Sequence, residues 1–213
     1  WQYVEDEIDE AGLEEEDDPD TVFQKQQIQA EMDEVDAILQ AASQITGNAK
    51  IKALKEAIHT ALQFQEENGI PQKVVVFTES KRTQKYIAAE LRRDGFAEDD
   101  ILLFNGDFDD SMAKDIYQAW KAKNFGGSNY GRSVEYKHAI VDYFKGHSRI
   151  LIVTDAGSEG LNLQFCNTVI NYDLPWNPQK IEQRIGRCHR YGQEHDVVAI
   201  NLLNTQNEAD RRV

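Results

Sequence analysis

The sequence predicts an α/β fold with a mostly parallel sheet flanked by helices, and three observations predict it. Short apolar runs rich in β-branched residues recur: KVVVF (73–77), ILLF (101–104), RILIVT (149–154), TVINY (168–172) and VVAINLL (197–203). KVVVF is apolar on both faces and too short for a helix, as an inner strand of a parallel sheet is. Segments of helical period separate the runs, and that alternation defines the α/β class. Polar and glycine-rich loops follow the strands directly, where sheets of this kind bind their ligands.

The opening, WQYVEDEIDEAGLEEEDDPD, places 11 carboxylates in 20 residues with no basic side chain. Self-repulsion and a shortage of apolar groups make residues 1–20 a flexible acidic connector. Residues 21–69 read as two N-terminal helices leading into the domain and packing on it. In the first, Ile28, Met32, Val35, Leu39 and Ala42 share one face, a spacing that is usually core. Gly47-Asn48 interrupts, and Ile51, Leu54, Ile58, Ala61 and Leu62 form the second face, closed by Asn68-Gly69 and Pro71. The main domain spans 70–205. After KVVVF, Ser80 caps a helix running to Arg93 and closed by Asp94-Gly95. An insert over about 107–134 follows ILLF. A helix near 135–145 precedes RILIVT, another over about 178–187 precedes VVAINLL, and 206–213 form a tail.

Charge is unevenly distributed. The chain carries 23 Lys+Arg against 38 Asp+Glu, net −15, which alone argues against a nucleic-acid partner. Residues 1–45 account for most of it, with 15 acidic residues and one lysine; the remainder is nearly neutral. The two cysteines, Cys166 and Cys188, make no disulfide framework, and with His189 and His195 they lack the paired spacing of a zinc site. No metal site is expected. No apolar run is long enough to cross a bilayer, so a reducing cytoplasm is the expected setting, with no membrane partner.

Two loops and one basic stretch carry the candidate chemistry. After RILIVT comes Asp155-Ala-Gly-Ser-Glu-Gly160; its glycines permit a tight turn and close backbone approach, and Asp155, Ser158, Glu159 and Asn162 offer polar groups to sugars or phosphates. After TVINY comes Asp173-Leu-Pro-Trp-Asn-Pro178. Next, QRIGRCHR spaces Arg184, Arg187 and Arg190 every three residues, close to one helical face. Such a face can simply meet water. Guanidinium groups held rigidly near a phosphate site have a second use, neutralising charge on a phosphoryl group in transfer.

TDAGSEGLNLQ (154–164) and QRIGRCHRYGQ (183–193) resemble motifs V and VI of superfamily-two helicases in the form carried by Swi/Snf-type ATPases, and VVVFTES (74–80) resembles motif IV. The likeness covers about 70–205, and the wording INYDLPWNPQKIEQRIGRCHRYGQ is most similar to bacterial RapA-type helicase-like proteins. It implies a RecA-like C-terminal lobe of a two-lobed motor in a bacterial, cytoplasmic, nucleoid-associated protein. By motif position, Arg187 and Arg190 resemble arginine fingers reaching ATP. Glu159, Gly160, Asn162, Gln183 and Gly186 resemble the nucleotide-facing surface. Thr78, Ser80, Lys81, Arg82, Asn105, Gly106, Thr154 and Asp155 resemble contacts to the nucleic-acid backbone, with duplex DNA the expected track. RNA polymerase or another nucleic-acid-bound protein is a further expected partner.

No GxxxxGK[ST] occurs in the chain. ATP with magnesium is therefore expected to be held mainly by an N-terminal RecA-like lobe absent here, and the chain alone is expected to be inactive as an ATPase. The insert mixes Trp120, Lys121 and Lys123 with Phe125, Tyr130 and Arg132; these form either a nucleic-acid platform or the packing of a small helix. The rival reading of the whole is a non-catalytic module docking on a basic partner. An autonomous mononucleotide enzyme is a weaker rival, since no glycine-rich first βα turn is present.

Overall fold

The computed structural model describes residues 27–37, 40, 49–107, 111–124 and 131–203. The chain divides into two units, Trp1–Gly47 and Asn48–Val213. In the first, residues 27–37 are helical, with Gln29 Nε2 donating to Asp33 Oδ1 at 2.8 Å. The stripe expected to be core is open there: Ile28, Met32 and Val35 are 58%, 54% and 54% exposed. Leu39, Ala42, the acidic segment 1–20 and the tail 206–213 lie outside the described residues.

In the second unit the elements run α1 (Ala49–Glu67), β1 (Val74–Thr78), α2 (Lys81–Arg93), β2 (Ile101–Phe104), α3 (Ser111–Lys123), α4 (Arg132–Gly146), β3 (Ile150–Thr154), α5 (Asp155–Ser158), β4 (Thr168–Asn171), α6 (Pro178–Ile185) and β5 (Val198–Asn201). The five strands form one sheet in the order β2-β3-β1-β4-β5, and every pairing is parallel. The KVVVF run thus supplies the central strand, buried along its whole length because β3 and β4 pair with it and helices cover both faces. β5 is an edge strand and is mostly exposed.

Each face of the sheet carries its own core. On one, α1 lays down Ile51, Leu54, Ile58 and Leu62, and α2 adds Ile87, Ala88 and Leu91, against Val74, Val76, Ile101, Ile150, Ile152 and Ile170. Alternate residues of the same strands face the other way. Val75, Phe77, Leu102, Phe104, Leu151, Val153 and Val169 meet α3 and α4 through Ile116, Tyr117, Tyr136, Ile140 and Phe144. The period of two thus assigns each strand residue to one of two layers. Gln65, fully buried at the end of α1, fastens that helix to the sheet: its amide donates to Lys73 O, Asn167 Oδ1 and Thr168 Oγ1 and accepts from Lys73 N.

The insert contributes α3, which packs on α4. Trp120 Nε1 donates to Asp142 at 2.7 Å, and the Tyr117 and Tyr136 rings stack at 5.0 Å. Trp120 is thus committed to pinning α3, while Lys121 lies 5.8 Å over the Tyr117 ring. Phe125 and Tyr130 lie outside the described residues.

Candidate functional site

The carboxyl ends of β1, β3 and β4 lie side by side, in register Thr78↔Thr154 and Phe77↔Asn171. A chain leaving β3 must turn sharply, and Thr154 makes the turn possible. Its hydroxyl accepts from Gly157 N at 3.2 Å, capping the single turn α5, and donates to Asn105 O at 3.2 Å. That second bond ties the loop after β3 to the loop after β2. The approach is close enough to require glycine: a Cβ on Gly157 would lie 2.7 Å from Phe104 O and 2.9 Å from Asn105 Cα. Beyond it, Gly160 turns the chain at φ +75°, Leu161 and Leu163 bury, and Leu163 N donates to Arg187 O at 2.9 Å. The two motif-bearing segments are thereby joined through backbone.

The basic stretch does not form a single face. Asn177 caps α6 by accepting from Gln179 N, Pro178 supplies its first turn, and the helix ends at Ile185 with Gly186 as cap. Arg184, in the last turn, points inward and is 2% exposed. Its Nε and Nη2 donate to Asp155 Oδ1 and Oδ2 at 2.7 and 3.0 Å, and its Nη1 donates to Asp173 O at 2.7 Å and Asn171 Oδ1 at 3.1 Å. The guanidinium lies 5.3 Å from the Phe77 ring centroid. Arg187 and Arg190 follow in turns beyond the helix, so the expected one-sided row of three arginines is broken at Gly186.

The two remaining arginines differ from Arg184 in every respect. Arg190 is exposed and Arg187 half-buried, and among the described residues neither makes an ion pair. Arg187 Nε is buried and has no hydrogen-bond partner among the described residues. A buried charged donor without an acceptor costs about 1–3 kcal/mol or more. Between them Cys188 is fully buried. Its thiol is pushed up by a hydrogen bond with Cys166 and by burial, which keeps it protonated and inert. Among the described residues no three His, Cys, Asp or Glu side chains are grouped to hold a metal.

Of the nucleotide-facing candidates, Glu159, Asn162 and Gln183 are exposed and Gly186 is half-buried. Gly160 and Asn162 line a cavity of about 650 Å³ with Lys137, Lys145, Gln164 and His195. Gln183 and Gly186 are not in its wall.

The backbone-contact candidates divide. Ser80, Lys81 and Arg82 form the exposed N-terminus of α2, with Ser80 Oγ accepting from Arg82 N at 3.1 Å and Lys81 paired with Asp107. Asn105 accepts from Asp107 N through Oδ1, and Gly106 turns at φ +85° against Gly157. These five gather at one rim. Thr78 and Thr154 stand apart because their hydroxyls are buried and engaged internally, Thr78 donating to Asp173 Oδ2 at 2.6 Å. Asp155 is held by Arg184. The side chains of Thr78, Thr154 and Asp155 are thus all engaged in hydrogen bonds within the chain.

Sequence reasoning placed Asp173 at the head of the loop after TVINY without a role and did not single out Lys50. Asp173 accepts from Thr78 and from Glu79 N, and lies 3.8 Å from Lys50 Nζ in α1. Its position just beyond β4 parallels that of Asp155 beyond β3, which is the signal that pointed to it. Nothing local in the sequence linked it to Lys50.

The chain matches the helicase conserved C-terminal domain over residues 49–192. It is 35% identical over 179 residues to the uncharacterized ATP-dependent helicase YqhH of Bacillus subtilis, covering 84% of this chain and 26% of that protein. It is 43% identical over 83 residues to the RNA polymerase-associated protein RapA of Vibrio cholerae, covering 37% of this chain and 9% of that protein. The fold is similar to the crystal structure of the C-terminal part of the Fun30 ATPase domain, with a TM-score of 0.53, 21% identity, and 78% of this chain and 44% of that one covered. The chain thus spans about a quarter of the first relative's length and less than a tenth of the second's.

Proposed function

Since the chain belongs to the helicase conserved C-terminal domain family, we propose that it is the second motor lobe of an ATP-dependent protein that translocates on nucleic acid, with duplex DNA as the track. The observation that carries this reading is the pair Arg187 and Arg190, one half-buried and one exposed, with no ion pair among the described residues, on the segment that Leu163 N ties to the chain beyond β3. A phosphate presented by a facing lobe supplies the counter-charge for these two guanidinium groups. ATP supplies the phosphoryl group whose transfer drives the motor, and the lobe that holds most of it also holds its magnesium.

In this reading Arg187 and Arg190 donate to the phosphates and neutralise charge that grows during transfer, an effect worth about 10³–10⁵ in rate when optimally placed. Glu159, Gly160 and Asn162 meet the sugar end, and Gln183 and Gly186 shape the surface around the fingers. Ser80, Lys81 and Arg82, with Asn105 and Gly106, grip the phosphate backbone, which is the same at every step along a duplex. Arg184 and Asp155 hold these two surfaces in fixed relation. The name of the YqhH relative supports ATP use. RNA polymerase, with which the RapA relative is named as associating, is the proposed partner of the whole protein.

The test is ATP hydrolysis by a two-lobed protein containing this chain, with duplex DNA, single-stranded DNA and RNA compared across a salt series. Duplex DNA is expected to stimulate most, and the half-stimulating concentration to rise as a power of salt. Stimulation by none of the three contradicts the reading.

A further inference from the structure

Asp173 stands where three parts of the lobe meet. Its Oδ2 accepts from Thr78 Oγ1 at 2.6 Å and from Glu79 N at 3.3 Å, which fixes the end of β1 immediately before the Ser80 cap of α2. Its backbone oxygen accepts from Arg184 Nη1 at 2.7 Å. Arg184 lies at the end of α6, three residues before Arg187, and Arg187 N donates to Arg184 O at 3.1 Å. Its Oδ1 faces Lys50 Nζ at 3.8 Å, and the same ammonium lies 5.1 Å from the Tyr172 ring centroid. One residue therefore touches the segment that bears Ser80, Lys81 and Arg82 and the segment that bears the unpaired arginine.

We propose that Asp173, with Lys50 as its counter-ion, is a positioning residue that couples occupancy of the Ser80–Arg82 rim to the placement of Arg187. The proposal rests on the motor reading above and adds to it the residue through which track and nucleotide sense each other. The physical basis is the shortness of the path. A phosphate bound at the N-terminus of α2 pulls on Ser80 and Glu79, and Glu79 N is held by the same carboxylate whose main chain orients Arg184. Displacement at one end must either move Asp173 or break charge-assisted bonds that are stronger than neutral ones. Asp173 meets neither nucleotide nor track itself, and its side chain is 29% exposed, so its replacement removes the link without removing either binding group.

The test uses a two-lobed protein containing the chain, with wild type, Asp173→Ala, Asp173→Asn and Lys50→Met compared for kcat and KM with and without duplex DNA. Asp173→Ala is expected to lower the DNA-stimulated kcat at least tenfold while KM for ATP and the unstimulated rate change less than twofold. Asp173→Asn, which keeps an acceptor for Thr78, is expected to recover part of the stimulation, and Lys50→Met to fall between them. Arg187 Nε–Hε resonances of the same variants supply a readout independent of turnover, and Asp173→Ala is expected to shift them. Stimulated and unstimulated rates falling in parallel indicate a merely structural role and overturn the proposal. So does undiminished stimulation in both Asp173 variants when wild type responds normally. A wild type that no nucleic acid stimulates overturns the motor reading itself, and is distinguished from the other outcomes by that control.

Discussion

Arg184 and Asp155 meet through two near-parallel hydrogen bonds of 2.7 and 3.0 Å, from a guanidinium 2% exposed to a carboxylate 31% exposed. The pair joins the loop after β3 to the end of α6, and the difference in burial makes its two halves unequal. Asp155→Ala leaves an uncompensated charge in the interior and is expected to cost about 3–5 kcal/mol. Arg184→Met fills much of the same volume and leaves Asp155 able to hydrate, so it is expected to cost less, about 1–3 kcal/mol. Urea unfolding of both variants checks the order; equal costs, or a larger one for Arg184→Met, contradict it.

Gly157 packs its Cα hydrogens against the backbone of Phe104 and Asn105, where a methyl group would lie within 2.7 Å of a carbonyl oxygen. Neither neighbour is a flexible side chain that can swing away. Gly157→Ala is expected to destabilise by at least about 2 kcal/mol and to loosen the Thr154 to Asn105 bond. Faster amide hydrogen exchange at Gly157 and Leu161, with a lowered urea midpoint, is the measurement; an unchanged midpoint rules out the tight fit.

Asp100 accepts from Arg149 Nε and Nη2 at 2.8 and 2.7 Å, and these bonds hold its carboxyl below the usual carboxylate value despite opposing burial. A depressed folded-state pKa contributes stability that is present in full above the unfolded value, near pH 4, and is lost as pH falls through the folded value. Wild type is therefore expected to lose stability below pH 4 more steeply than Asp100→Asn, which lacks the pair at every pH. Urea midpoints from pH 6 to pH 2.5 check this, and parallel profiles contradict it.

The architecture was largely legible because each strand announces itself locally. ILLF at 101–104 is strand β2 over the same residues, and KVVVF differs from β1 by one position at each end. Ser80 caps α2, which ends at Arg93 as its sequence indicates. Strand order was not legible, since it depends on which runs pair across the chain. The fates of the three arginines were not legible for the same reason. A spacing of three treats Arg184, Arg187 and Arg190 alike, whereas Gly186 ends the helix and Asp155, 29 positions earlier, draws only Arg184 inward. The internal partners that the Thr78 and Thr154 hydroxyls find at the strand ends were not legible either, because they too lie far away along the chain.

The sequence contains no phosphate-cradling GxxxxGK[ST] loop, and the described residues hold no cluster of carboxylates suited to a metal. The purified chain is expected to hydrolyse ATP at the background rate with or without DNA. Phosphate release assayed over hours checks this; robust turnover by the chain alone contradicts its assignment as half of an enzyme.

The most direct measurement compares Arg187→Ala and Arg190→Ala in a two-lobed protein, reading DNA-stimulated ATP hydrolysis beside ATP affinity. Arg187→Ala is expected to abolish stimulated turnover, a loss of about 10³-fold or more, with ATP affinity changed by less than a few fold. Turnover near that of wild type contradicts the finger assignment of Arg187.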